Sequence, residues 1–151
     1  MTIQIRQASL LDIPKIAPLF DAYRQFYEQA PNLSKAAEFL TTLLSQQASI
    51  VLIAELEGGE IVGFCQLYHS YCSVIAAPIF ILYDLYVTPA HRRLSAARDL
   101  MQAAETLAKS LGKARLDLST AKDNLKAQAL YASEGYIRDD VFYVYTKTVD
   151  S

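Results

Sequence analysis

Arg92 and Arg93 stand side by side, followed by Leu94 and the small residues Ser95-Ala96-Ala97, between an apolar stretch and an amphipathic one. Two guanidiniums before a helix start are a device for holding a pyrophosphate. First-turn amides lack intrahelical acceptors, the helix dipole favours negative charge, and small side chains let the backbone approach the oxygens. On this loop alone, a solvated basic helix start with no ligand is an equal reading. Asp84 is the second conspicuous residue, because it sits among Ile81, Leu82, Leu85 and Val87. A carboxylate there must be paired, hydrogen-bonded or facing a cavity. It either bonds a nearby loop or receives a cation. His69 and His91 are too isolated to suggest a metal site.

The elements that must hold these residues follow from periodicity. Around the arginines, Pro78 to Val87 reads as a strand. From Ala97 the apolar residues recur at Leu100, Met101, Ala104, Leu107, Ala108 and Leu111, one face of a helix that Gly112 ends. Upstream, Ile3 and Ile5 alternate with polar residues in a short strand. Ser9 is positioned to cap a helix from about Leu10 to Glu28, and Ser34 a second helix carrying Ala37, Leu40, Leu43 and Leu44. Ser49 to Leu56 and Ile61 to Ser70 form a hairpin across Glu57-Gly58-Gly59-Glu60. Downstream come a short strand at Leu116 to Ser119 and a helix capped by Asn124 and closed by Gly135. A last alternating strand is expected from Val141 to Thr148.

Arg92-Arg93-Leu94-Ser95-Ala96-Ala97 resembles the Gln/Arg-x-x-Gly-x-Gly/Ala loop of the Gcn5-related N-acetyltransferases, with Ser95 where that family prefers glycine. A β-carbon at that position either crowds the ligand and strains the backbone, or brings a hydroxyl that donates to a phosphate. The element order β-α-α-β-β-β-α-β-α-β is also similar to that family's. The resemblance implies an α/β fold with a mixed, mostly antiparallel twisted sheet flanked by helices, in a single domain over residues 1–151. Ile61-Val62-Gly63-Phe64 is similar to the family's third-strand motif. Tyr83-Asp84-Leu85-Tyr86-Val87, with Asn124 and Leu130-Tyr131 before Gly135, resembles the branch of diamine/spermidine and fungal histone/polyamine acetyltransferases.

That resemblance implies acetyl-coenzyme A as cosubstrate. Leu85, Tyr86 and Val87 would meet its pantetheine arm as a strand edge, one amide there serving as oxyanion donor. Residues 92–97 would hold its pyrophosphate, and Asn124 would contact it, besides or instead of capping a helix. The implied acceptor is a primary amine, whose pKa near ~10.4 leaves roughly one molecule in 10³ neutral at pH 7. Tyr131 is the candidate general acid for the leaving thiolate; packing beside Leu130 is its alternative. Asp84 corresponds to the second member of an acidic pair in the polyamine-acetylating relatives, with Tyr83 replacing the first. It is expected to bind the substrate ammonium or relay its proton, with Tyr27 and Glu28 walling the acceptor cleft. A homodimer through the late strands is a further implication.

Composition bounds these expectations. The 151 residues carry a formal net charge of -2, with no broad basic footprint for nucleic acid. No apolar run is long enough to span a bilayer, and Arg6 and Asp12 interrupt the N-terminal region, so a cytoplasmic protein is expected. Cys65 and Cys72 are too few for a disulfide framework, and neither has a neighbouring base that would make it an acyl carrier. The reading is therefore direct acetyl transfer to a small or polyamine-like amine. Its rivals are a protein lysine or N-terminal acetyltransferase and a non-catalytic acyl-coenzyme A binder.

Overall fold

The structure, a computed structural model, describes residues 2–150. It divides into two compact units, one ending at Ser119 and the other beginning at Thr120. The first contains β1 (Ile3–Gln7), α1 (Ile13–Phe26), α2 (Leu33–Ser45), β2 (Ser49–Leu56), β3 (Ile61–Cys72), β4 (Ala77–Val87), α3 (Ala96–Ser110) and β5 (Leu116–Asp117). The five strands form one sheet in chain order; the first three pairings are antiparallel and β4–β5 is parallel. This mixed, mostly antiparallel sheet is the α/β class expected.

β3 is buried from Ile61 to Leu67, as befits a central strand covered on both faces. Phe64 meets Phe20 and Tyr23 of α1 edge-on, at 5.9 and 5.8 Å between ring centroids. Its neighbour Gly63 points the other way, toward Leu100 of α3. Helices α1 and α2 thus cover one face and α3 the other. The first face packs Ile16, Phe20, Ala36 and Leu40 onto Val51, Ile53 and Phe64. On the second, α3 buries Leu100, Met101, Ala104 and Ala108, one stripe at helical spacing. Gly63 is required there: a Cβ would lie 2.9 Å from the Tyr86 carbonyl oxygen and 3.1 Å from Val87 Cγ2.

Two helix starts are resolved by their caps. Ser9 caps a 3-10 turn, Leu10–Asp12, in a capping box with Asp12, and α1 follows from Ile13. Arg6 bridges this turn to the sheet, bonding Asp12 at 2.8 Å and Glu55 at 2.9 Å. The start of α2 is capped by Asn32, whose Oδ1 accepts from the Lys35 amide at 3.0 Å, rather than by Ser34. Asn32 wins because its amide is itself held by Asp21, at 3.0 Å, which sets where the chain turns.

The second unit holds α4 (Leu125–Ser133), capped by Asn124 and ended by Gly135 at φ 89°. The last strand of the expected order is not formed: residues 142–150 carry no regular structure, and Val141, Phe142, Tyr143, Val144 and Tyr145 are exposed. Alternation and β-branching supply strand propensity, but a strand also needs a ladder, and among the described residues of this unit there is no other strand to pair with.

Candidate active site

Asp84 is held at the centre of the sheet by a polar chain across three strands. The Ser49 hydroxyl of β2 donates to Gln66 Oε1 at 2.8 Å, and Gln66 Nε2 of β3 donates to Asp84 Oδ2 at 2.8 Å. All three residues are buried; Gln66 is wholly inaccessible and Asp84 is 4% exposed. The Tyr23 phenol, from α1, faces the same carboxylate. Burial raises the Asp84 carboxyl above its ordinary value, while the Gln66 amide and the facing Tyr23 phenol pull it down. Burial and the facing Asp84 charge push the Tyr23 phenol strongly up, and the Tyr68 phenol to about 12. The Cys65 thiol, fully buried, is pushed up by the same causes and stays protonated.

A β-bulge aims this group. Gln66 pairs with Asp84, but the next residue, Leu67, pairs with Leu82, leaving Tyr83 as an extra residue in β4. Strict alternation would send Tyr83 and Asp84 to opposite faces. The bulge lets both line a cleft of about 510 Å³, with Phe20, Tyr23 and Arg24 of α1, Lys35, Glu38, Phe39 and Thr42 of α2, and Tyr68 of β3. Tyr83 itself is exposed, its ring edge-on to Tyr68 at 5.4 Å.

The bulge also resets which edge β4 leaves open. The Phe80 amide donates toward β5, to Arg115 O at 3.1 Å, whereas the Thr88 amide donates toward β3, to Val62 O at 2.8 Å. By ladder alternation, Asp84 and Tyr86 face β3, and Leu85 and Val87 direct their backbone groups outward. β5 pairs with Phe80 and Ile81, and among the described residues no strand covers that edge from Leu82 onward. Arg92 then folds back on its own strand: its Nε donates to the Val87 carbonyl at 2.9 Å and its guanidinium lies over the Tyr86 ring at 5.6 Å. A 3-10 turn, Pro89–His91, leads through residues 92–94 to α3. Ser95 is the N-cap at φ -76°, ψ 14°, and its hydroxyl donates to Asp99 Oδ2 at 2.8 Å. The first intrahelical bond runs from the Asp99 amide to Ser95 O, so the Ala96 and Ala97 amides precede it.

The model of the acetyltransferase (GNAT) family matches residues 16–136. The chain belongs to that family. It is 44% identical to YhfO, an uncharacterized N-acetyltransferase of Bacillus subtilis (strain 168), over 97% of this chain and 98% of the relative. A crystal structure of a probable acetyltransferase superposes with a TM-score of 0.91 at 34% identity, covering 98% of this chain and 99% of that one. A ribosomal-protein-alanine N-acetyltransferase from Brucella melitensis biovar Abortus 2308 shares the fold, with a TM-score of 0.82 at 23% identity over 97% of this chain and all of that one. This GNAT chain is accordingly an acetyl-transferring enzyme, and its family implies acetyl-coenzyme A as the cosubstrate.

The residues present fit that cosubstrate. The GNAT chain offers an uncovered strand edge at Leu85–Val87 and, a few residues on, a helix start with early amides next to Arg92 and Arg93. Ser95 adopts an ordinary backbone conformation, so the feared strain is absent, and its hydroxyl is engaged by Asp99. Tyr27 and Glu28 are not among the cleft-lining residues. α1 ends at Phe26, Tyr27 turns its ring edge-on to Tyr23 at 5.1 Å, and Glu28 at φ 65° redirects the chain. In the second unit, Asn124 Oδ1 accepts from the Ala127 amide at 3.1 Å, and the Tyr131 ring lies 6.2 Å from that of Tyr136. Among the described residues no His, Cys, Asp and Glu group has a metal-binding arrangement, and no helix is long and apolar enough to cross a membrane.

Sequence reasoning missed Tyr23, Gln66, Ser49 and the α2 side of the cleft. A signal existed for Gln66: like Asp84, it is a polar residue inside an apolar strand, between Cys65 and Leu67. The bulge leaves no comparable trace, because Tyr83 and Asp84 fit an unbroken strand equally well.

Proposed function

We propose that this enzyme acetylates a primary amine of a small molecule, the class that includes the polyamine-like acceptors expected from the sequence. The observation that carries this is the buried Asp84 carboxylate on the wall of the cleft. An ammonium is the ligand that best compensates a desolvated carboxylate. Asp84 binds the acceptor ammonium and takes or relays its proton. The neutral nitrogen then forms the amide bond as the carbon–sulfur bond of the thioester breaks; the general acid, assigned to Tyr131 by the family resemblance, protonates the leaving sulfur and is restored by the second proton that the nitrogen loses. Acetyl-coenzyme A supplies the activated acyl group. Leu85 and Val87 offer outward backbone groups to the pantetheine arm, and residues 92–97 hold the pyrophosphate; Asn124 is assigned its cofactor contact by the family resemblance alone. A buried, protonated Cys65 thiol supports direct transfer over an acyl-cysteine route.

The test is steady-state kinetics with a panel of primary amines, read by thiol release. Tyr131→Phe is expected to lower kcat by about 10²-fold or more with acetyl-coenzyme A affinity nearly kept. Asp84→Asn is expected to lower kcat/KM for the amine by at least ~10-fold. Unchanged turnover in either variant removes the role assigned to that residue.

A further inference from the structure

The charges and rings that line the cleft narrow the acceptor further, on the reading that Asp84 receives its ammonium. Four charged side chains contribute: Asp84 and Glu38 are anionic, Arg24 and Lys35 cationic. Their formal sum is zero, and Asp84 is the one buried member. Arg24 makes a long 3.4 Å contact to Asp21. Between these charges the surface is aromatic. Phe20 and Phe39 stack at 5.8 Å, and the Tyr68–Tyr83 pair stands beside Tyr23 around the carboxylate.

A polycation is poorly served by this arrangement. Its first ammonium would reach Asp84, but the remaining ones would meet Arg24 and Lys35 with only the exposed Glu38 to offset them. A single ammonium on an apolar body uses the buried carboxylate and the rings, and brings no second cation to Arg24 and Lys35. Its charge pairs with Asp84 and lies against tyrosine faces, and its body covers Phe20 and Phe39. We infer that the acceptor is a monoamine, one primary ammonium carried on an aromatic or branched apolar group, and not a polyamine or other polycation.

The test compares phenethylamine and isopentylamine with putrescine and spermidine, using the full chain and acetyl-coenzyme A, by thiol release. Saturation-transfer NMR ranks binding of the same four probes. The expected result is a kcat/KM for phenethylamine at least ~10-fold above that for spermidine, with the same order in binding. Lys35→Glu is expected to raise the spermidine-to-phenethylamine ratio at least ~5-fold, since it replaces a repelling charge with an attracting one. Spermidine used as well as or better than phenethylamine overturns the inference. So does failure of all four probes to bind. Asp84→Asn separates the levels: a spermidine preference that collapses in this variant sinks only the monoamine inference, whereas indifference of every amine to it sinks the ammonium role beneath it.

Discussion

Asp84→Asn should make the protein more stable while making it a worse enzyme. Asp84 is 4% exposed, and burial holds its carboxyl above the ordinary range despite the Gln66 bond and the facing Tyr23 phenol. A native state that binds the proton more tightly than the unfolded chain loses about 1.4 kcal/mol for each pH unit separating the two carboxyl values. That loss begins as pH rises past the unfolded value of about 3.9 and is complete above the raised native one. The amide variant keeps an acceptor oxygen for Gln66 Nε2, at 2.8 Å in the parent, and carries no charge at any pH. The gain should be fully present near pH 7 and visible as a higher Tm. Urea unfolding followed by circular dichroism from about pH 8 to about pH 3 reads it. The variant's advantage should shrink as pH falls and vanish below the unfolded carboxyl value, where both states of the parent are protonated. A variant less stable by the same amount at every pH would refute the reasoning, because it would mean that Asp84 acts as an ordinary hydrogen-bonded strut.

Other perturbations have equally direct outcomes. Gln66→Leu strands the Asp84 carboxylate and the Ser49 hydroxyl, costing about 2–4 kcal/mol in urea unfolding; adding Ser49→Ala should cost less than the sum of the two single changes. Gly63→Ala forces a Cβ to 2.9 Å from the Tyr86 carbonyl, and should lower stability by about 1–3 kcal/mol and weaken acetyl-coenzyme A binding in a calorimetric titration. Ser95→Gly should change that affinity by less than ~3-fold, since the serine already has an unstrained backbone. Asp12, held down to about 2 chiefly by Arg6, contributes stability that is present above the unfolded value of about 3.9 and lost as pH falls toward about 2. Asp12→Asn should remove that acid-limb dependence.

Local signals carried most of the architecture into the sequence. The α3 stripe, the hairpin at Gly58-Gly59, Ser9 and Asn124 as caps, and Gly112 and Gly135 at positive φ are all decided by a few neighbouring residues. Asp84 was legible because a charge in an apolar strand demands a partner. The partners themselves were not. Tyr23 lies 61 positions away in sequence by numbering, on another element, and Gln66 reaches Asp84 only through the β3–β4 register. Asn32 outranked Ser34 through its tie to Asp21, a contact 11 residues away in sequence. The Val141–Thr148 strand failed for the converse reason: propensity is local, but pairing is not.

The extra residue in β4 separates two demands that a regular strand would tie together. Tyr83 faces the cleft, yet no residue of β3 pairs with it, so its identity is free of the ladder that fixes its neighbours. Selection, natural or in the laboratory, can therefore rewrite position 83 to retune which amines are accepted while Asp84 stays where the sheet holds it. A library at that single codon samples acceptor preference at little cost to folding.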